Sequence, residues 1–148
     1  MNSRAFSIIP IGTVRKSGDE TFLEIDPKYE AALLNVEKFS HFFVLWWLDK
    51  RDTPEDRATL QTTPHVKDEK GTNAPLSGVF TNRSPARPNP IALSIVRLLK
   101  VKNNKLLIDR IDADDGSFII DIKPYLPSER ISNLIVPSWF KDLKRKEG

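Results

Sequence analysis

The chain has 148 residues, 39% hydrophobic and 29% charged, the balance of a folded globular protein long enough to bury one core. Its net charge of +3 and pI near 9.2 are mildly basic, compatible with an anionic partner such as RNA without requiring one. No cysteine is present, which excludes disulfides, thiolate zinc sites, iron–sulfur clusters and cysteine nucleophiles.

The two histidines, His41 and His65, are too few for a histidine metal cage, and no metal is expected. The N-terminal residues MNSRAFSIIP lack the long apolar region and small-residue cleavage site of a secretory signal. The longest apolar run, residues 42–48, falls far short of the roughly 18 residues a membrane helix needs. A cytoplasmic protein with no membrane association is expected.

Taken in chain order, apolar residues come in short runs punctuated by turn formers, a pattern that predicts strands. Residues 6–14 read as a strand interrupted by Pro10 and Gly12, hence an edge or a bulge. Ser17-Gly18-Asp19 is a turn, and residues 21–25 alternate like a half-buried strand. Asp26-Pro27 reads as an N-cap followed by proline at the first helical position, opening a helix through Tyr29, Ala32, Leu33 and Val36. Residues 41–48 are rich in β-branched and aromatic residues and predict a strand buried on both faces, with at least one of Trp46 and Trp47 in the core.

After the charged cluster Asp49-Lys50-Arg51-Asp52, residues 53–76 are polar and proline-containing, read as a long loop with one short strand at most. Residues 91–101 and 105–111 flank Asn103-Asn104, a plausible hairpin turn because Asn tolerates the left-handed conformation. Residues 118–123 are a further strand, followed by an irregular basic tail over 128–148 that ends frayed and solvated. The sum is a mainly β fold: a single compact antiparallel β-barrel domain over 1–148, core about 6–127, with one or two short helices.

Three segments carry chemistry. In residues 83–90, Pro85, Pro88 and Pro90 fix their own φ and hold Ser84, Arg87 and Asn89 extended. Arg83 and Arg87 are fork-shaped donors suited to carboxylate or phosphate, so this stiff loop reads either as an anion and nucleobase reader or as a solvated crossover. Asp112-Ala113-Asp114-Asp115-Gly116 gathers carboxylates, but Gly116 falls at position 5 and Lys123 at position 12, the wrong register for an EF-hand. Carboxylates facing ribose hydroxyls, or a plain Asp-Gly turn between strands, both remain open there. Asp121, Lys123 and Tyr125 alternate along a strand and so share one face, either a solvated charge pair or the rim of an active site. No Rossmann glycine fingerprint, Walker A loop, nucleophile elbow or zinc-protease motif occurs.

The run Gly78-Val79-Phe80-Thr81-Asn82-Arg83-Ser84-Pro85 continuing into Arg87-Pro88-Asn89-Pro90-Ile91 resembles the signature of the TsaA-like (TrmO) family of tRNA methyltransferases. Ile11-Gly12, Phe39-Ser40-His41, and Asp115-Gly116 leading to Asp121-Ile122-Lys123-Pro124-Tyr125 match in the same order, covering about residues 8–126. The resemblance implies a β-barrel homodimer that binds S-adenosylmethionine without a Rossmann fold. It further implies methylation of N6 of threonylcarbamoyl-adenosine next to the anticodon of tRNA.

It places cofactor contacts on Leu48, Asp49, Arg83, Leu93, Asp112, Ala113, Asp114 and Asp115. It makes Asn89, Asp121, Lys123 and Tyr125 the candidate catalytic residues, with Arg87 and Lys123 toward the tRNA and the tail from Lys141 to Lys146 steering phosphates. Ala92 stands where the family usually has Gly and Ser117 where Thr is usual. The chain also lacks the extra C-terminal lobe of longer members, which bears on the choice of tRNA. The rival expectations are a non-catalytic RNA-binding barrel and a metal-dependent hydrolase built on the Asp cluster.

Overall fold

A computed structural model describes residues 3–143; residues 1–2 and 144–148, the last including the end of the expected basic tail, lie outside the described part. The described chain divides into two compact units, residues 3–47 with 93–125, and residues 48–92 with 126–143.

The first unit is a closed barrel. Strand β1 (Gly12–Ser17) turns at Gly18, whose φ of +59° is the left-handed value a tight turn needs, into β2 (Glu20–Ile25). Strand β3 (His41–Trp47) follows a pair of short 3-10 segments, and β6 (Ile91–Lys102), β7 (Lys105–Ile108) and β8 (Phe118–Pro124) complete the wall. The strand order is β1-β2-β7-β6-β3-β8, closed by β1 pairing with β8 at Gly12↔Ile119 and Thr13↔Phe118. The mainly β, antiparallel barrel read from the sequence is the architecture observed.

Alternation along each strand fills the interior. Val14, Leu23, Ile25, Val44, Val96, Leu106, Ile108 and Ile119 are at most 2% exposed and face one another inside the barrel. Each such aliphatic side chain contributes about 1.5–3 kcal/mol relative to exposure. The expected hairpin is present, with Asn103 at φ +55° and the register Lys102↔Lys105.

Three expectations need correction. The run 6–14 is strand only from Gly12 onward; Phe6, Ile8 and Ile9 are exposed, and Pro10 cannot donate to a ladder. Gly12 is required for packing, since a Cβ there would collide with the Glu24 carbonyl oxygen and the Ile25 Cα of β2. The helix expected after Asp26 is a 3-10 helix (Pro27–Leu33), capped by the Asp26 carboxylate accepting from Lys28 N at 3.1 Å. It stops where Asn35 turns left-handed at φ +70°, before a second 3-10 turn (Val36–Lys38). Finally, β3 is buried on one face only: Phe42, Val44 and Trp46 point inward, while Phe43, Leu45 and Trp47 are half-exposed. An all-apolar run masks that alternation.

The second unit contains helix α1 (Pro54–Arg57) and the two-stranded sheet of β4 (Gln61–Thr62) with β5 (Ser77–Gly78). The polar stretch read as a loop thus holds more structure than expected. Thr53 caps α1, accepting from Asp56 N at 3.1 Å, and Pro54 sits at its first turn. An isolated bridge pairs Lys67 with Asn73. Buried apolar groups here are small, namely Ala74, Val79, Ala86 and Pro90.

Candidate functional site

The candidate residues fall into three groups, two on the barrel and one in the second unit. At one end of the barrel is the acidic turn. Gly116 takes φ +85°, and its N–H donates to the Val14 carbonyl at 2.7 Å, while Ser117 N donates to Asp114 O at 3.1 Å. Asp115 Oδ1 accepts from Lys16 N at 2.9 Å, and Lys16 Nζ reaches the Ile111 carbonyl at 3.0 Å. Asp115 therefore stitches the turn to β1, the structural half of the two readings left open. Ala113 is 0% exposed, backbone and side chain alike, and packs behind the turn, whereas Asp112 and Asp114 are exposed.

Strand register shows what shares that end. Trp46 lies opposite Ile119 at the start of β8, and Trp46 Nε1 donates to Ser94 Oγ at 3.0 Å, so Leu93, 45% exposed on β6, lies at the same end as the acidic turn. The expected cofactor residues of the barrel unit are gathered there.

The catalytic candidates run away from it. Asp121 opposes Leu45 and Lys123 opposes Phe43, both on the outer face of the β3–β8 ladder. Lys123 Nζ is 3.1 Å from Asp121 Oδ2, and Asp121 Oδ1 accepts from Ile122 N at 2.9 Å, which together orient the carboxylate. The Tyr125 ring sits 5.3 Å from the Phe43 ring at 42°, and Tyr125 N donates to the His41 carbonyl at 3.0 Å. His41 is itself structural, its Nδ1 2.7 Å from Ser40 Oγ. Six residues of β8 separate Phe118 from Pro124, about 20 Å at the usual strand rise, so the acidic turn and Tyr125 mark opposite ends of one strand. Phe43 is the member of this group the sequence reading missed. A period-2 reading of residues 41–47, with 43, 45 and 47 outward, would have found it.

In the second unit, Leu48 N donates to Pro90 O at 2.8 Å, so Leu48 and Asp49 lie beside the end of the proline-rich loop and its neighbour Asn89. Arg83 and Asn89 are exposed. Arg87 is otherwise: its Nη1 donates to the carbonyls of Asn82 at 3.3 Å and Ser84 at 3.0 Å, the two residues flanking Arg83. Asn82 Oδ1 accepts from Ser84 N at 2.9 Å, and its Nδ2 donates to Thr62 Oγ1 at 3.1 Å. The loop is locked by its own side chains, and Arg83 is what it leaves presented.

Next to it, Arg51 grips Asp56 through Nε (2.8 Å) and Nη2 (3.0 Å), and Arg57 donates to Asp52 Oδ1 at 2.6 Å and to Pro88 O at 3.3 Å. The Arg51 hydrogen bond, opposed by partial burial and aided by its charge and by Thr53, holds the Asp56 carboxyl below the ordinary Asp value. The same bond raises Arg51. Among the described residues no group of three or more His, Cys, Asp or Glu side chains could hold a metal ion, and no helix is long and apolar enough to cross a membrane.

Residues 4–129 match the family model described as the tRNA-methyltransferase O N-terminal domain, and the chain belongs to that family. It is 39% identical over 123 residues to a probable S-adenosyl-L-methionine-binding protein of Pyrococcus horikoshii, spanning 83% of this chain and 85% of that protein. A probable S-adenosyl-L-methionine-binding protein of Methanocaldococcus jannaschii is 40% identical over 114 residues, 77% and 87% of the two chains. A mouse protein named tRNA (adenine(37)-N6)-methyltransferase is 35% identical over 97 residues, 66% of this chain but 21% of the mouse protein. A crystal structure of TrmO superposes with a TM-score of 0.68 at 26% identity, covering 90% of this chain and 64% of that one.

Proposed function

We propose that this chain is an S-adenosylmethionine-dependent methyltransferase that methylates N6 of threonylcarbamoyl-adenosine next to the anticodon of tRNA. The observation that carries it is the oriented Asp121–Lys123 pair beside the Phe43 and Tyr125 rings, set in a domain of the tRNA-methyltransferase O family. The names of the archaeal relatives support the cofactor, and the name of the mouse relative supports an adenine N6 target in tRNA.

The donor set suits the cofactor piece by piece. Within the barrel, Asp112 suits ribose hydroxyls and the exposed Leu93 an apolar ring face; within the second unit, the exposed Arg83 guanidinium suits a carboxylate and half-buried Leu48 an apolar ring face. The exposed Asp49 and Asp114 complete the group, while Ala113 packs behind the turn and Asp115 serves mainly to fix it. When bound, S-adenosylmethionine supplies a methyl group on a sulfonium, an electrophile that asks mainly for correct positioning from the protein.

The chain's own tasks are then to hold the adenosine and to accept the N6 proton. Asp121 is the acceptor: its oxygens are held by Ile122 N and Lys123 Nζ, and it keeps further lone pairs for substrate. Tyr125 and Phe43 offer ring faces to a base, Lys123 and Asn89 offer donors, and Arg87 acts through the loop carrying Arg83. The protein works as a cytoplasmic homodimer in this reading, which the exposed apolar side chains Ile131, Leu134 and Ile135 support. Light scattering tests the dimer.

Titration with S-adenosylmethionine by calorimetry, beside Arg83→Ala, tests the cofactor site; binding that collapses in the variant is expected. Methylation of tRNA by Asp121→Asn, with cofactor affinity unchanged, tests the base, and intact turnover would remove Asp121 from that role. No cofactor binding by the wild type would leave an RNA-binding barrel without catalysis.

A further inference from the structure

Strand register lays out a second charged face on the barrel, separate from the candidate residues above. On the outer surface of β1, β2, β7 and β6, Thr13 pairs with Glu24, Glu24 with Lys105, and Lys105 with Lys102. The adjacent row runs Arg15 to Phe22, Phe22 to Leu107, and Leu107 to Lys100. With Glu20 one step further along the same face of β2, these pairs place Arg15, Lys100, Lys102 and Lys105 on one face with the carboxylate of Glu24. That carboxylate is already engaged, with Arg15 Nε 3.3 Å from Glu24 Oε2.

The three lysines are exposed, and among the described residues none of them forms an ion pair. Residues 91–108 contain Arg97 and all three lysines and no acidic residue at all. Like charges directly opposite each other across a ladder are unfavourable, and Lys102↔Lys105 is such a pair. Solubility would be served equally well by an opposite-charge pair, so the arrangement calls for an anion outside the chain. Lys105 Nζ is held 5.4 Å over the Phe22 ring, which keeps one ammonium in place beside an aromatic surface. Neighbouring strands lie about 5 Å apart and alternate residues about 7 Å apart along a strand, so the cations form a spaced array rather than a point charge.

We infer that the outer face of the β2-β7-β6 ladder, carrying Lys100, Lys102 and Lys105 around Phe22, is a docking surface for the phosphate backbone of the tRNA substrate. This rests on the tRNA reading above and adds where the body of the tRNA is held. The contacts are to phosphate, so they add affinity and orientation and carry no base specificity.

The experiment measures binding of unmodified tRNA by fluorescence anisotropy as a function of salt for the wild type, a triple variant Lys100→Gln, Lys102→Gln, Lys105→Gln, and the control Lys70→Gln in the second unit. The triple variant should bind about tenfold more weakly at low salt, and its slope of log affinity against log salt should be shallower by about 2, as expected for two to three lost phosphate contacts. Its S-adenosylmethionine affinity and its methylation rate at saturating tRNA should match the wild type, which also shows that it is folded. Lys70→Gln should change neither quantity. Equal affinity and slope for the triple variant and wild type would overturn this surface and leave the methyltransferase reading standing. Failure of the wild type to bind tRNA, or a charge-dependent difference seen only on phosphatidylserine vesicles, would overturn the surface together with its substrate.

Discussion

Gly12 and Arg87 show how single residues in the signature act on the fold itself. Any side chain at Gly12 meets backbone atoms of Glu24 and Ile25, which cannot rotate away. Gly12→Ala should therefore destabilise the protein by about 1–3 kcal/mol, the usual cost of overpacking, read as a thermal midpoint lower by several degrees. Arg87→Lys should leave the midpoint nearly unchanged. Both bonds to the carbonyls on either side of Arg83 come from Nη1, and a lysine ammonium ends one atom short of that position. Losing about 1.4 kcal/mol of loop order would weaken S-adenosylmethionine binding about tenfold in calorimetry. The sequence makes both residues visible as parts of a pattern. It does not show that Arg87 points back into its own loop, because carbonyl partners leave no trace in residue identity.

The short helix α1 and its preceding turn depend on a charged clasp. Arg51 holds Asp56 in bidentate fashion, and Asp56 is depressed in the folded state, chiefly by that hydrogen bond. A carboxyl depressed on folding adds stability that is fully present above its unfolded value and lost as pH falls through its folded value. Protection factors at the amides of residues 56–58, with the intrinsic pH dependence of exchange divided out, should thus hold at neutral pH and fall as pH drops below the ordinary Asp range, while Asp56→Asn should be less protected at neutral pH with little dependence on acid. Among the strands, β2, β7 and β8 were legible because alternation and turn residues agree, as at Asn103-Asn104. Residues 27–38 were misread because apolar spacing of three to four residues suits a 3-10 turn as well as an α-helix, and Asn35 breaks the run by a backbone choice. The uniformly apolar residues 42–47 hid which face was wet.

At the scale of the whole molecule, cofactor binding and stability are linked. A ligand that binds only the folded state at about a hundred times its Kd adds about 2.7 kcal/mol, a rise of roughly 5–10 °C for a chain of this length. S-adenosylmethionine should raise the melting midpoint of the wild type by that amount and leave Arg83→Ala nearly unmoved in the same thermal scan. Family and architecture could be read before any coordinates, because the motif segments are contiguous and ordered along the chain. What could not be read is which strands meet: that Trp46 faces Ile119 and Phe43 faces Lys123 is a fact of register that spacing alone does not contain.

The seam that closes the barrel joins Gly12 to Ile119, partners far apart along the chain. During synthesis β1 can pair with β2 at once, but its other edge must wait until β8 has emerged, more than a hundred residues later. For that interval the nascent chain carries an open strand edge next to the apolar Phe6, Ile8 and Ile9, the combination that recruits a neighbouring chain. Pro10, lacking an N–H, interrupts the edge where those apolar residues meet the strand and acts as a gatekeeper while the barrel is still open.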